Sequence, residues 1–352
     1  MAKKSGRKQE EQLNYKAVER ELMEQGPGSL YLLWGPEDYL REHYLSQLKS
    51  LCLSDGEDSF SYKRLNGPEL DPGELQRAVD AIPFLSERSF VELRGVDLNH
   101  LVDPDKVLQV LEDIPDFCTV AFVQSVDFEP DGRLKQIKKL RGLAREIAFT
   151  RQTQDSLTKW IGKRFEALGK GIEFEAAQRL IFISGDLMNR LIPEIEKVAA
   201  YAKGDRVTVD DVEAVAHHIP EAVIFQMTDE ISRGSLNNAL AILSELLSDR
   251  NNEPIAMLGM LGLQMRQLYA ARLAVEKGLG LSYVMEATGC KYESQGRRLL
   301  QAARGYTLPR LIKAVELCAE TDYRLKSSSE DDAVLFKELV IRIAAGESDE
   351  TR

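Results

Sequence analysis

The sequence predicts an α/β domain built on a parallel sheet, followed by an all-α region made of a small helical module and a helical bundle. Two observations carry the prediction. Short apolar runs alternate with helical stripes as far as residue 150, and beyond Phe149 the apolar residues recur at helical spacing alone. A third observation concerns chemistry: the turn after the first strand lacks the residues that would grip a phosphate.

Taken in order, residues 1–27 are a polar tail that ends in a short amphipathic helix, Tyr15 to Glu24, stopped by Gly26, Pro27 and Gly28. Leu30 to Trp34 is a continuous apolar run, hence a buried strand. It turns at Gly35 and Pro36 into a helix, Glu37 to Leu51, with Tyr39, Leu40, Tyr44, Leu45 and Leu48 at helical spacing. The unit recurs as strand Phe60 to Leu65, helix Pro72 to Ala81, strand Ser89 to Leu93, helix Pro104 to Leu111 and strand Thr119 to Val123. Strands alternating with helices imply right-handed crossovers and a sheet covered on both faces, so residues 28–150 form one α/β domain.

Residues 151–219 read as a small helical module: Leu157 to Leu168, Ala176 to Phe182, Leu187 to Ala202 and Asp210 to Ala216, the last capped by Thr208. Residues 220–346 read as a bundle, with residues 347–352 as a tail. One stripe is Leu236, Ala239, Leu240, Leu243, Leu246 and Leu247, and a second is Leu258, Leu261, Met265, Leu268, Tyr269 and Arg272. Leu308, Leu311, Ile312, Val315, Cys318 and Ala319 make a third, and such helices joined by short polar loops form a bundle.

Composition narrows the function classes. With 352 residues, 43% hydrophobic and 29% charged, the chain suffices for two or three ordinary domains. Its longest apolar runs, such as Ile255 to Leu263, fall far short of the ~20 residues of a membrane span, so no membrane association is expected. The first dozen residues hold no apolar stretch suited to secretion, which sets the expectation of a cytoplasmic protein. Cys52, Cys118, Cys290 and Cys318 form no CxxC pair and read as reduced core thiols; no metal is expected. A net charge of −11 argues against a surface that grips DNA throughout, because phosphate neutralisation needs clustered cations. The best local cluster is Arg133, Lys135, Lys138, Lys139, Arg141 and Arg145, of which Lys135, Lys138, Lys139 and Arg141 are the candidate DNA contacts. A solvated helix face is the commoner reason for such a run.

The first strand-to-helix turn is Gly35, Pro36, Glu37, Asp38, Tyr39, Leu40, Arg41, Glu42. A phosphate loop there would read GxxxxGK[ST], with glycine N–H groups wrapping the phosphates and a lysine neutralising them. Only the first glycine remains, Arg41 and Glu42 stand where lysine and hydroxyl are needed, and Glu37 and Asp38 put negative charge beside the phosphate position. The strand Thr119 to Val123 should end in carboxylates for Mg²⁺, but it ends in Gln124, Ser125 and Val126, with Asp127 late and alone. The four histidines, His43, His100, His217 and His218, fit no HExxH, and no GxSxG occurs. No catalytic residue and no cofactor are expected.

The other informative stretch is Ala81, Ile82, Pro83, Phe84, Leu85, Ser86, Glu87, Arg88, where a helix gives way to bulky apolar residues. Pro83 stiffens the exit. By themselves, Phe84 and Leu85 read most simply as closing the local core. The other reading is an exposed wedge for a partner's pocket.

Several long stretches resemble the bacterial clamp loader delta subunit family: LYLLWGPEDYLRE, AIPFLSERSFVEL, GDLMNRLIPEIEKVAAY, FQMTDEISRGSLNNALAILSELL with EPIAMLGMLGLQMRQLY, and ETDYRLKSSSEDD with LFKELVIRIA. They run in order from about Leu30 to Ala345. The resemblance implies a degenerate AAA+ domain, a helical lid and a helical collar, matching the three regions above. It implies no ATP hydrolysis by this chain, and a place in the DNA polymerase III assembly beside motor subunits (gamma/tau) and delta prime in a five-membered ring. It also implies that a hydrophobic pair enters a pocket on the sliding clamp and favours the open ring, for loading on primed DNA. The matching positions here are Pro83 and Phe84, with Ile82 and Leu85 beside them; Phe84 and Leu85 are the expected principal contacts, with Ser86 to Arg88 selective for the distorted clamp. A delta prime or motor subunit of the same fold would carry a four-cysteine zinc module, and a motor an intact phosphate loop; neither motif is present in the sequence. An active ATPase and a non-catalytic helical scaffold are the remaining alternatives.

Overall fold

The computed structural model of the protein describes residues 15–53, 60–84, 86–249 and 251–346. The chain forms two compact units, the first spanning residues up to 152 together with 187–189, the second residues 153–186 and 190 onward.

In the first unit the elements are α1 (Tyr15–Gln25), β1 (Leu30–Trp34), α2 (Asp38–Cys52), β2 (Tyr62–Asn66), α3 (Pro72–Val79), β3 (Ser89–Arg94), α4 (Pro104–Glu112), β4 (Cys118–Val123), α5 (Lys135–Leu143) and β5 (Arg145–Ala148). The five strands form one parallel sheet in the order β2-β3-β4-β1-β5, with Leu30 opposite Val120, Tyr62 opposite Phe90 and Trp34 opposite Ala148. One face packs Leu32, Val91, Val120 and Phe122 against Leu75, Val79, Val107, Leu108, Ile137 and Leu140. On α2, Tyr44 lies buried with its ring 6.3 Å from that of Tyr31 and 5.9 Å from that of Phe149.

Local chemistry sets the boundaries. Asp71 caps α3 by accepting from the Gly73 N–H at 2.9 Å, and Pro72 supplies a first turn that needs no donor. The helix stops at Val79 rather than at Ala81, because Pro83 disfavours helical backbone at the residue before it. Strand β5 has no counterpart in the sequence reading: its four residues, REIA, include one buried side chain, Ile147, so no apolar run announces it.

The second unit contains α6 (Gln154–Ala167), β6 (Gly171–Ile172), α7 (Phe174–Ser184), α8 (Met188–Tyr201), β7 (Arg206–Val207) and α9 (Val209–Val215). There follow α10 (Pro220–Ser232), α11 (Leu236–Ser248), α12 (Pro254–Glu276), α13 (Leu281–Thr288), α14 (Glu293–Ala303), α15 (Leu308–Ser327) and α16 (Asp332–Ala345). The two-residue parallel pair β6 and β7 departs from the all-helical expectation. Thr208 caps α9 reciprocally: its side chain accepts from the Asp211 N–H and the Asp211 carboxylate accepts from the Thr208 N–H. Helix α12 is apolar nearly all round and buries Met257, Leu258, Leu261, Met265, Leu268, Ala271 and Ala274, as its position among α13, α14 and α15 requires. At the far end Arg310 on α15 donates to the Ile343 and Ala344 carbonyls, closing the C-terminal turn of α16.

Candidate functional site: a closed turn and an exposed aromatic pair

In an open parallel sheet, ligands bind outside the carboxyl ends of the strands, which here is the turn from β1 into α2. Three backbone N–H groups of that turn are already bonded within the protein. The Glu37 N–H donates to the Phe149 carbonyl at 3.0 Å, the Asp38 N–H to the Pro36 carbonyl at 3.0 Å, and the Arg41 N–H to the Glu37 carbonyl at 3.1 Å. Arg41, standing where a phosphate loop has its glycine-lysine pair, is buried and donates to the Gly35 carbonyl at 2.7 Å while pairing with Asp38. Burial pulls the Arg41 guanidinium below its usual range, against the pull of Asp38. Glu42 forms a bidentate pair with Arg94 at 2.6 and 2.8 Å.

Of the two acids expected beside the phosphate position, Glu37 is buried and Asp38 is paired with Arg41. Gly35 is retained for packing: its φ is +116°, and a Cβ there would meet the Phe149 carbonyl oxygen at 2.7 Å. Pro36 continues the same turn. At the end of β4, Gln124 is buried in place of a metal-binding carboxylate.

The opposite end of the sheet carries the apolar stretch. Residues 81–84 run into the amino end of β3, beside the amino end of β2. Phe84 is 60% exposed and Ile82 82% exposed, so neither closes the core; Pro83 is half-buried, and Leu85 lies outside the described residues. Phe84 is not a loose side chain. Its N–H donates to Ser61 Oγ at 2.9 Å and its carbonyl accepts from the same hydroxyl at 3.0 Å. Ser61 is itself held in the ladder, its carbonyl accepting from the Phe90 N–H at 2.8 Å. The neighbouring Phe60 is 91% exposed and meets Phe84 edge to face, with ring centroids 6.2 Å apart. Phe60 and Ser61 escaped the sequence reading, which placed Phe60 inside a strand; the structure starts β2 at Tyr62. Arg88 reaches back to the Cys118 carbonyl and Thr119 Oγ1, which ties the far side of the stretch to β4.

The basic cluster is on α5 and its flanks. Lys135, Lys138, Lys139 and Arg141 are exposed, while Ile137 and Leu140 point to the core. Three of the four are matched by acids: Lys135 by Asp105 at 3.8 Å, Lys139 by Glu112 at 2.6 Å and Arg141 by Glu146 at 2.8 Å. Arg133 pairs with Asp131 and Arg145 with Glu21.

Residues 221–343 match a family model, the DNA polymerase III delta subunit, C-terminal domain. The DNA polymerase III subunit delta of Bacillus subtilis (strain 168) is 23% identical over 331 residues, covering 89% of this chain and 92% of that protein. Residues 221–343 thus belong to the DNA polymerase III delta-subunit family, and the similarity to a delta subunit runs over most of the chain. A probable DNA polymerase III subunit delta from Aquifex aeolicus (strain VF5) is 24% identical over 278 residues, 74% of this chain and 76% of that one. The solved Bacillus subtilis DNA clamp loader delta protein has the same fold, with a TM-score of 0.55 at 19% identity over 94% of this chain and 99% of that chain. This similarity supports a clamp loader component in DNA replication, one that works in a complex with other replication subunits. It sets aside the reading as a scaffold unrelated to clamp loading.

Proposed function

We propose that this chain binds the sliding clamp through an apolar tip made of Ile82, Pro83, Phe84 and Phe60, with Leu85 as the next residue in sequence, and that it favours the open form of the clamp without hydrolysing ATP. The observation that carries the reading is the exposed edge-to-face pair Phe60–Phe84 on a backbone pinned by Ser61. Large aromatic side chains held rigid in solvent are what an interface anchor requires, because little ordering entropy is lost on binding.

Burying two large apolar side chains gains roughly 3–6 kcal/mol, which suits a reversible grip. Ring opening then follows only if the open clamp is bound better than the closed one, since equal affinity shifts no equilibrium. Ser86 to Arg88, next to the tip, are the proposed source of that preference. The spent N–H groups and buried Arg41 of the β1–α2 turn support the absence of ATP chemistry. Residues 151–219 act as the lid and residues 220–346 as the collar that joins motor subunits and delta prime in the five-membered ring. Primed DNA is reached through the loaded clamp rather than through α5, whose cations are mostly matched by local acids.

The test is binding of the full chain to the cognate sliding clamp by calorimetry, without nucleotide. Micromolar or tighter binding that Phe84→Ala weakens, with the circular dichroism spectrum unchanged, supports the reading. Absence of binding by the wild-type chain overturns it.

A further inference from the structure

The second unit holds a cavity of about 520 Å³ unrelated to the aromatic tip. Its walls come from α7, the start of α10, α12, the loop after α13, and α14, with Phe182, Phe225, Leu263 and Leu299 supplying apolar surface. This falls within the range of small-molecule sites, about 300–1,000 Å³ lined by apolar groups with a few polar ones.

Two of its lining residues bring buried donors that no acceptor among the described residues satisfies. Gln264 on α12 is 8% exposed, and its Nε2 has no hydrogen-bond partner. Arg298 on α14 has a buried Nη1 without a partner and lies with its guanidinium 4.0 Å above the centre of the Phe182 ring. Glu213, the carboxylate that acts on Arg298, is already paired with Arg179, and Asp186 on the cavity wall accepts from the Tyr292 hydroxyl at 3.0 Å. Burial accordingly pushes Arg298 down to about 10, with Arg179 adding to the effect.

A buried guanidinium N–H and a buried amide N–H without acceptors among the described residues are costly to the fold, and they persist where something else uses them. We infer that this cavity is a binding site for a carboxylate carried on a flat apolar body, with the carboxylate accepting from Arg298 and Gln264. A planar guanidinium fork matches a carboxylate, and the rings of Phe182 and Phe225 offer a wall for the body. The carboxylate can come from a free small molecule or from the C-terminus of a polypeptide.

The experiment titrates the full chain with 3-phenylpropionate and its neutral amide, and with an acetylated tetrapeptide ending in phenylalanine as free acid or amide, followed by NMR or calorimetry. The acid form should bind at least ~10-fold tighter than the amide, and Arg298→Met should lose at least ~10-fold, as expected of a charge-assisted hydrogen bond. Gln264→Leu should lose a few-fold. Tighter binding of the free acid points to a small molecule, and tighter binding of the peptide acid to a chain terminus. Without ligand, the melting temperature of Arg298→Met should stay close to that of the wild type, because the deleted Nη1 has no acceptor to lose and a methionine thioether can take the place of the guanidinium over the Phe182 ring. Binding by neither acid, equal binding by Arg298→Met, or a marked fall in its melting temperature together with unchanged binding by Gln264→Leu would overturn the inference.

Discussion

Truncating Phe84 and Phe60 should weaken clamp binding without weakening the fold. Full burial of such a side chain contributes about 1.5–3 kcal/mol. Phe84 is 60% exposed, so about 0.6 of that gain is still to be made on binding, roughly 1–2 kcal/mol. Phe84→Ala should therefore raise Kd about 5- to 20-fold. Phe60, 91% exposed, has nearly all of its gain in hand, and Phe60→Ala should raise Kd about 10- to 100-fold. The two rings touch edge to face, so the double variant should fall short of the sum by about 0.5–1.5 kcal/mol, the usual worth of such a pair. Ser61→Ala removes both hydrogen bonds to the Phe84 backbone and should weaken binding through disorder of the tip, with Ser61→Thr retaining the hydroxyl and restoring affinity. The assay is calorimetry against the clamp beside urea unfolding of each variant. Phe84→Ala that lowers unfolding stability by more than ~1 kcal/mol while leaving Kd unchanged would return the ring to the core and refute the argument. An unchanged Kd for Phe60→Ala, with Phe84→Ala impaired, would remove Phe60 alone from the contact.

Three further outcomes are expected. Glu92 is fully buried on β3 and held by Lys49 at 2.6 Å, by Arg94 and by the Tyr62 hydroxyl at 2.9 Å, so Glu92→Gln should cost about 3–5 kcal/mol in urea unfolding at neutral pH. Burial pulls the Glu92 carboxyl up, but Lys49 and Arg94 outweigh it and hold it below the ordinary range. A depressed folded value contributes stability above the unfolded value of about 4.3 that is lost as pH falls through the folded value, so wild type and Glu92→Gln should converge below pH ~4. Gly35→Ala should destabilise the first unit by about 2–4 kcal/mol, read by thermal melting, because its backbone is left-handed and the added Cβ strikes the Phe149 carbonyl. Arg41→Lys combined with Glu42→Thr restores phosphate-loop side chains, yet calorimetry with Mg-ATP should show no binding, since the Glu37 and Asp38 N–H groups stay bonded within the protein.

The sequence by itself determined the order of strands and helices through β4, the helical character of most of the remainder, the lost lysine at Arg41 and the family resemblance. These follow from patterns local in the chain: apolar periodicity, capping residues such as Asp71 and Thr208, and residue types at fixed offsets in one turn. Strand β5 was not legible, because an edge strand with one buried residue has no apolar run to show. The tertiary structure decided where the residues near Pro83 stand. Whether Phe84 fills the core or meets solvent depends on Ser61, 23 positions away, and on Phe60 standing beside it across the start of the sheet. It likewise decided why a glycine stands at position 35, through the crowding of Phe149 just beyond the neighbouring strand, and why a glutamate sits inside a buried strand, through Lys49 and Arg94. Exposure and pairing are set by residues that only the fold brings together, and a one-dimensional pattern does not carry them.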